Sequence, residues 1–451
     1  MGQLVSDGHE LTQQPAEADV IVVNTCSFID PAKQESVDTI LEMAEYKKTG
    51  KAQRLIVAGC LVERYRSDIQ HNIPEVDAVL GTNELEKITA LCEGLTPKQL
   101  TPEPYLYHEL TARVFTTPRH SAYIKIAEGC DHPCSFCIIP QFRGRFRSRR
   151  FESVVTEASR MFASGVREIN LICQDTTCYG EDLGLKDGLA LLLARLAAIP
   201  TELPKWVRFL YAYPNKVTQK LLDTIAAHDD LVKYIDIPLQ HASASVLKRM
   251  KRGANADIFL KLIERIRATI PGVAIRTSMI VGFPGETDGD FEQLCQFVTA
   301  AQFDRLGVFS YSDEETSGSY HLDAKLDKRT VYLRKRKLMA LQRRISLSRN
   351  KRFLGAELPV LIEGPSKETA LLWEARLSTQ APEIDGICYV NDFGSAEPRS
   401  GEIRTLRITE AHHYDLVGEL VGPAEQSYRS RHDPFVILPS IEKSVAGIAI
   451  R

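Results

Sequence analysis

Eight residues, Cys130-Asp-His-Pro-Cys134-Ser-Phe-Cys137, set three thiols at a C-x3-C-x2-C spacing. Thiols that close in sequence can wrap a single metal centre from one loop. The stretch before them, Ser121 to Ala127, is rich in β-branched and aromatic residues and reads as a strand, with Gly129 as a flexible exit. The cysteines therefore sit at the carboxyl end of a strand, where α/β folds keep their chemistry. Three neighbouring thiolates suit an iron–sulfur cube with one iron left free to bind something else. The competing reading is a structural zinc site completed by His132 or a distant ligand. It is disfavoured because zinc knuckles use paired C-x2-C spacings.

A C-x3-C-x2-C run after a first barrel strand resembles the signature of the radical S-adenosylmethionine enzymes. The wider text, Ala127-Glu-Gly-Cys130, Cys137-Ile-Ile-Pro140 and Arg143-Gly-Arg-Phe-Arg-Ser-Arg149, is similar to the methylthiotransferases among them. The resemblance implies a [4Fe-4S] cluster on Cys130, Cys134 and Cys137, with S-adenosylmethionine on the open iron. It implies a 5′-deoxyadenosyl radical that takes hydrogen from an unactivated carbon, fed by an electron donor such as flavodoxin or ferredoxin. Such chemistry belongs to the cofactor, and no catalytic acid, base or nucleophile is named.

The elements that must position these thiols follow from the rest of the chain. At 451 residues, with a net charge of −3 and 44% hydrophobic content, the composition is that of an ordinary soluble globular protein of several domains. No apolar run approaches a membrane span, and residues 1–20 lack the apolar core of a signal peptide. Ten cysteines in so long a chain fit reduced thiols with a metal-binding subset, so a cytoplasmic location is expected. The fold class expected is α/β: an N-terminal parallel-sheet, Rossmann-like domain over 1–95 and a linker over 96–117 carrying Pro97, Pro102 and Pro104. A partial (βα)6 radical S-adenosylmethionine barrel follows over 118–325, then a basic connector helix over 326–352, a small TRAM-like β-barrel over 353–420 and a tail over 421–451.

In the first domain, the apolar runs 19–24 and 54–58 read as buried parallel strands ending in Thr25-Cys26 and Gly59-Cys60. Right-handed crossover brings both strand-end loops to one sheet edge. Two inert buried cysteines are the plain alternative, but the matched placement favours ligands. The resemblance implies that Cys26 and Cys60 are two of three cysteines holding an auxiliary, sulfur-donating [4Fe-4S] cluster. No cysteine precedes Cys26. The auxiliary cluster is therefore expected to be incomplete, the sheet to lack an opening strand and to expose an edge, and this chain to be poor at sulfur transfer. Cys92 reads as core of a helix.

Six strand candidates span 122–309, and a partial barrel leaves a side open for a macromolecular substrate. Gly282 and Gly285 let backbone approach a ligand closely, as a plain βα turn also would. The resemblance implies that Gly282, Gly285 and Gln240 help hold the adenosine and methionine of the cofactor. Arg143, Arg145, Arg147, Arg149 and Arg150 read mostly as a solvated charged face, and the eleven Lys or Arg of 328–352 as a solvated helix packed by Leu338, Leu341 and Ile345.

The C-terminal barrel carries five Lys or Arg against twelve Asp or Glu over 353–420. A barrel that grips tRNA should be basic, because phosphate neutralisation dominates nucleic-acid affinity. An acidic one fits a basic protein. Ala381-Pro-Glu-Ile-Asp-Gly386, Gln174-Asp-Thr-Thr177 and Ile237-Pro-Leu-Gln-His241 are likewise closer to the ribosomal-protein branch of the family. The resemblance implies methylthiolation of the β-carbon of an aspartate in small-subunit ribosomal protein twelve. The rival readings are a tRNA adenosine methylthiotransferase and a degenerate, non-catalytic homologue.

Overall fold

The computed structural model describes residues 1–95, 105–369, 371–424, 436–437 and 447–450. Part of the expected linker (96–104) and most of 425–451 lie outside the described residues.

In the first domain, β1 (Val20–Thr25), β2 (Arg54–Gly59) and β3 (Ala78–Leu80) run parallel, with α1 (Asp30–Thr49) and α2 (Cys60–Asn72) as crossovers. Both strand faces are covered. Ile21, Val23, Leu55 and Val57 pack on Ile40, Met43 and Leu61, while Val20, Val22 and Ile56 pack on Leu4, Ile88 and Cys92. That double burial is why these strands read as unbroken apolar runs.

The central domain contains all six expected strands: β4 (Ser121–Lys125), β5 (Glu168–Ile172), β6 (Trp206–Phe209), β7 (Tyr234–Asp236), β8 (Ala274–Val281) and β9 (Arg305–Ser310). They form two three-stranded parallel sheets, β4–β5–β6 and β7–β8–β9. The seam between them is bridged at Val207 and Leu231 and by Ala212 N–H donating to the Asp236 carbonyl at 2.8 Å. Helices α3 (Phe151–Ala163), α4 (Gly188–Ala197), α5 (Gln219–Ala227), α6 (Ala256–Thr269) and α7 (Asp288–Ala301) cover the outside. Period-two alternation sends Ile124, Ile169, Val207 and Ile275 toward those helices. The opposite faces carry buried Glu168, Asn170, Arg208 and Asp236.

Helix α8 (Lys328–Lys351) starts where the Asp327 carboxylate accepts from the Thr330 N–H. It packs through Arg334, Leu338, Gln342, Ile345 and Ser346. The last domain is a closed barrel of β10 (Glu357–Pro365), β11 (Trp373–Leu377), β12 (Cys388–Asp392), β13 (Ile403–Ala411) and β14 (Leu416–Val421). It plugs the foot of the central domain, where Leu361, Ala381 and Ile403 pack against Trp206, Leu210, Tyr234 and Ala274. A buried charge network reinforces the plug. Arg376 and Arg208 both reach Glu168, at 2.6 and 3.0 Å, and Arg376 also holds Glu363 at 2.6 Å.

The tail and the exposed edge need correction. Strand β15 (Gly447–Ile450) pairs antiparallel with β1, Val23 opposite Gly447 and Val20 opposite Ile450, and Leu11–Thr12 pairs beyond it. Val436–Ile437 likewise pairs with Val114–Phe115. The expected bare edge of β1 is therefore covered, and 421–451 is not a tail throughout. An unpaired strand edge is a template for pairing, and the end of the chain fills it.

Candidate functional site: a three-thiol cavity at the head of the partial barrel

Cys130, Cys134 and Cys137 lie on the loop after β4, as the strand-then-glycine pattern requires. Gly129 has φ +85°, and a Cβ there would meet the Arg145 carbonyl oxygen at 2.1 Å, so only glycine fits. The loop is closed by Cys130 N–H donating to the Gly144 carbonyl and Cys137 N–H to the Cys134 carbonyl. The Ser135 hydroxyl fastens it to the Arg249 carbonyl at 2.7 Å. All three thiols line a cavity of about 1290 Å³ at the carboxyl ends of the strands. A drug-sized ligand takes roughly 300–1,000 Å³, so this space admits a cofactor and part of a substrate together.

Burial pushes the Cys130 thiol up to about 11 and the Cys137 thiol up to about 12. Thiols so shifted stay protonated at neutral pH unless a metal takes the proton's place. Among the described residues, one group of three candidate ligands has its donor atoms within 4.8 Å of one another, and it is His132, Asp175 and Cys178. Cys130, Cys134 and Cys137 instead share the wall of one cavity, an arrangement that suits a cube offering separate corners.

Gln240 and Gly282 line the same cavity. Gln240 has φ +75° and ties β7 to β8, its N–H donating to Ser278 and its carbonyl accepting from Ile280. Gly282 has φ +80°, and a Cβ there would strike Val331 of α8. The Glu286 carboxylate accepts from the Gly282 and Phe283 amides and is held by Arg334 of α8 at 2.8 Å. Gly285 is not on the cavity wall. The Arg249 guanidinium occupies the place where its Cβ would be.

Cys26 and Cys60 follow β1 and β2 and come together as the crossover rule requires. The Ser27 hydroxyl donates to the Cys60 carbonyl at 3.0 Å, and Cys26 is exposed. Arg143 Nη2, from the segment after the cluster loop, donates to Cys60 Sγ at 3.1 Å. Burial still raises the Cys60 thiol, with Arg143 opposing it. The domains are locked here by Glu314, which takes Lys33 at 2.9 Å and Arg64 at 2.8 Å. The arginines after the cluster loop are therefore not a solvated face throughout. Arg143 reaches a thiol, and Arg149 is buried on Glu157 at 2.6 Å. The short span between the cluster cysteines and a covering domain forces these side chains inward.

Sequence reasoning also missed the wall made by α8. Lys328, Val331, Tyr332, Lys335 and Met339, at helical spacing, face the cavity beside Arg336. Phe28, Tyr211 and Phe309 add exposed aromatic surface from the other two sides. The signal available was a second, weaker stripe on the same helix, hidden by its charge. Tyr213 and Arg252, which also line the cavity, carried no motif that singled them out, and Asp175 was read only as part of the Gln174–Thr177 motif.

A three-thiol loop at the head of a six-stranded partial barrel defines a radical S-adenosylmethionine enzyme, and the Radical SAM superfamily model matches residues 124–298. The model described as "Uncharacterized protein family UPF0004" matches residues 1–81, and the TRAM domain model matches 354–421. The chain is 72% identical over 425 residues to the ribosomal protein uS12 methylthiotransferase RimO of Solibacter usitatus, covering 94% of this chain and 91% of that one. It is 57% identical to the protein of that name from Koribacter versatilis, over 93% and 92% of the two chains. The counterpart in Myxococcus xanthus is 45% identical, over 96% and 90%. The chain belongs to the ribosomal protein uS12 methylthiotransferase (RimO) family.

Proposed function

We propose that this chain adds a methylthio group to the β-carbon of an aspartate side chain in small-subunit ribosomal protein uS12, by radical S-adenosylmethionine chemistry. The observation that carries this is the joining of three loop thiols, a cavity larger than the cofactor, and family membership over nearly the whole chain. In this reading Cys130, Cys134 and Cys137 hold a [4Fe-4S] cluster. When bound, that cluster supplies the electron that cleaves S-adenosylmethionine. The protein's own part is to hold, orient and shield. Gln240 and Gly282 border the cofactor, with Glu286 and Arg334 fixing the Gly282 turn, while Gly285 acts through the turn's backbone. The α8 wall and the exposed aromatics of the mouth receive the substrate segment.

Cys26 and Cys60 are the ligands this chain offers to an auxiliary cluster. An acidic C-terminal barrel supports a basic protein partner. Arg376 and Arg404 are buried, against one buried acid, Glu402, which leaves its surface slightly more acidic than its composition. Nothing favours the tRNA reading. A cytoplasmic location and a one-electron donor of the flavodoxin or ferredoxin kind complete the proposal. No helix among the described residues is long and apolar enough to cross a membrane.

The test is anaerobic reconstitution and reduction of the chain with S-adenosylmethionine and uS12. Expected are 5′-deoxyadenosine and uS12 carrying a methylthio group on aspartate. Cofactor cleavage with tRNA modified in place of uS12, or no cleavage at all, would overturn the reading.

A further inference from the structure

The cluster loop is clasped by side chains from three other loops. His132, between Cys130 and Cys134, stacks its ring on Tyr213 with centroids 3.7 Å apart and planes at 8°. Its Nε2 lies 2.5 Å from Asp175 Oδ2, and Asp175, almost fully buried, also accepts from the Thr177 amide and the Cys178 thiol. The carboxylate is thus fixed by Thr177 and Cys178 where it meets the imidazole. The Arg252 guanidinium lies over the Tyr213 ring, 4.6 Å from its centre. Its Nη2 donates to the Pro238 carbonyl at 2.7 Å and its Nη1 to Cys134 Sγ at 3.5 Å. Contacts therefore run from His132 through Tyr213 and Arg252 back to Cys134. Arg252 is 7% exposed. The residue before it, Lys251, takes φ +56°, a reversal that turns the chain just ahead of the buried arginine.

We propose that Arg252 is a positioning residue for the cluster held by Cys130, Cys134 and Cys137, and that the Tyr213–His132 stack holds Arg252 in place. The inference rests on the reading of those cysteines as cluster ligands. An N–H donor on a ligating sulfur withdraws charge from it and favours the more negative, reduced state of a cluster. Arginine suits the post because its planar fork makes two directed bonds while its face lies on an aromatic ring. A lysine ammonium cannot do all three. Backbone N–H groups of His132 and Ile139 serve the Cys130 and Cys137 sulfurs, and Arg252 supplies the side-chain donor to the third, Cys134.

The experiment uses the full chain, reconstituted anaerobically, with Arg252→Lys, Arg252→Gln, Tyr213→Leu and Tyr213→Phe. Iron per chain, the electron paramagnetic resonance spectrum of the reduced cluster and its midpoint potential are measured. Expected are unchanged iron, a midpoint potential moved to more negative values and an altered spectrum in Arg252→Gln. Arg252→Lys should fall between Arg252→Gln and the parent, Tyr213→Leu should show the same direction, and Tyr213→Phe should match the parent, since the stack does not use the hydroxyl. A parental potential and spectrum in Arg252→Gln overturns the inference. Should that variant fail to take up iron, Arg252→Lys decides, and a parental potential there overturns it equally. A parental iron count together with a parental reduced-cluster spectrum in Cys130→Ala would instead refute the reading of the cysteines.

Discussion

Replacing Arg376 by methionine tests whether charge, rather than shape alone, fastens the C-terminal barrel to the central domain. Glu168 is fully buried, and burial by itself would raise its carboxyl. Arg376 and Arg208 overcome that and hold it at about 2, against an ordinary 4.5. That gap corresponds to about 3 kcal/mol of stability at neutral pH. Breaking a buried ion pair by removing one partner costs about 3–5 kcal/mol, the same range. Because the folded-state value is depressed, the contribution is present above about pH 4.5 and is lost as pH falls toward 2. The chain has two tryptophans, and they report on this junction: Trp206 in the shared apolar plug and Trp373 in the C-terminal barrel. Urea unfolding followed by their fluorescence should show a midpoint lowered by about 1 M or more at pH 7. At pH 3 the penalty should shrink by about 2 kcal/mol, since Glu168 then contributes less. Equal penalties at pH 7 and pH 3 would refute the charge reasoning and leave only the loss of packing.

Three further outcomes are expected. Arg334→Gln frees Glu286 from its partner and loosens the turn at Gly282, so S-adenosylmethionine affinity measured by equilibrium dialysis should fall about tenfold. Glu314→Gln leaves the buried Arg64 side chain without its anion and Lys33 with Asp30 alone, and limited proteolysis between the N-terminal domain and the rest should quicken about 30-fold, the equivalent of about 2 kcal/mol. His241 is fully buried, and burial lowers it from 6.5 to about 4; the Glu286 carboxylate 3.8 Å away does not make an ion pair, because the imidazole stays neutral. The unfolded chain then binds a proton that the folded chain refuses. Stability should therefore decline as pH drops from about 6.5 to 4, by about 3 kcal/mol, and a melting series with His241→Asn should show a shallower slope.

The strands were legible because burial on both faces, or on alternating faces, writes itself into residue type, and all six central strands fall where apolar runs place them. The cluster loop was legible for a different reason: its three ligands are local. What escaped is the meeting of distant faces. Asp175, Tyr213 and Arg252 come from three separate loops, and nothing in their own segments distinguishes a clasp from a turn. Arg208 and Glu168 sit inside runs that read as plain strand, and the partner that makes their burial tolerable is Arg376, far along the chain. The pairing of β15 with β1 was equally hidden, since a strand at a sheet edge is chosen by vacancy rather than by pattern. Helix α8 misled in the other direction, because its density of charge masked the stripe that walls the cavity.

That helix has a mechanical meaning as well. Twenty-four residues make a rod of about 36 Å. One end is clamped by Arg334 to the turn that borders the cavity. The other is clamped by Arg349 and Arg352 to Asp304 and by Asn350 to the His412 carbonyl of the last barrel. Cavity and barrel are thereby kept at a set separation, and the enzyme carries a ruler. A partner that touches both ends at once must itself span about that distance.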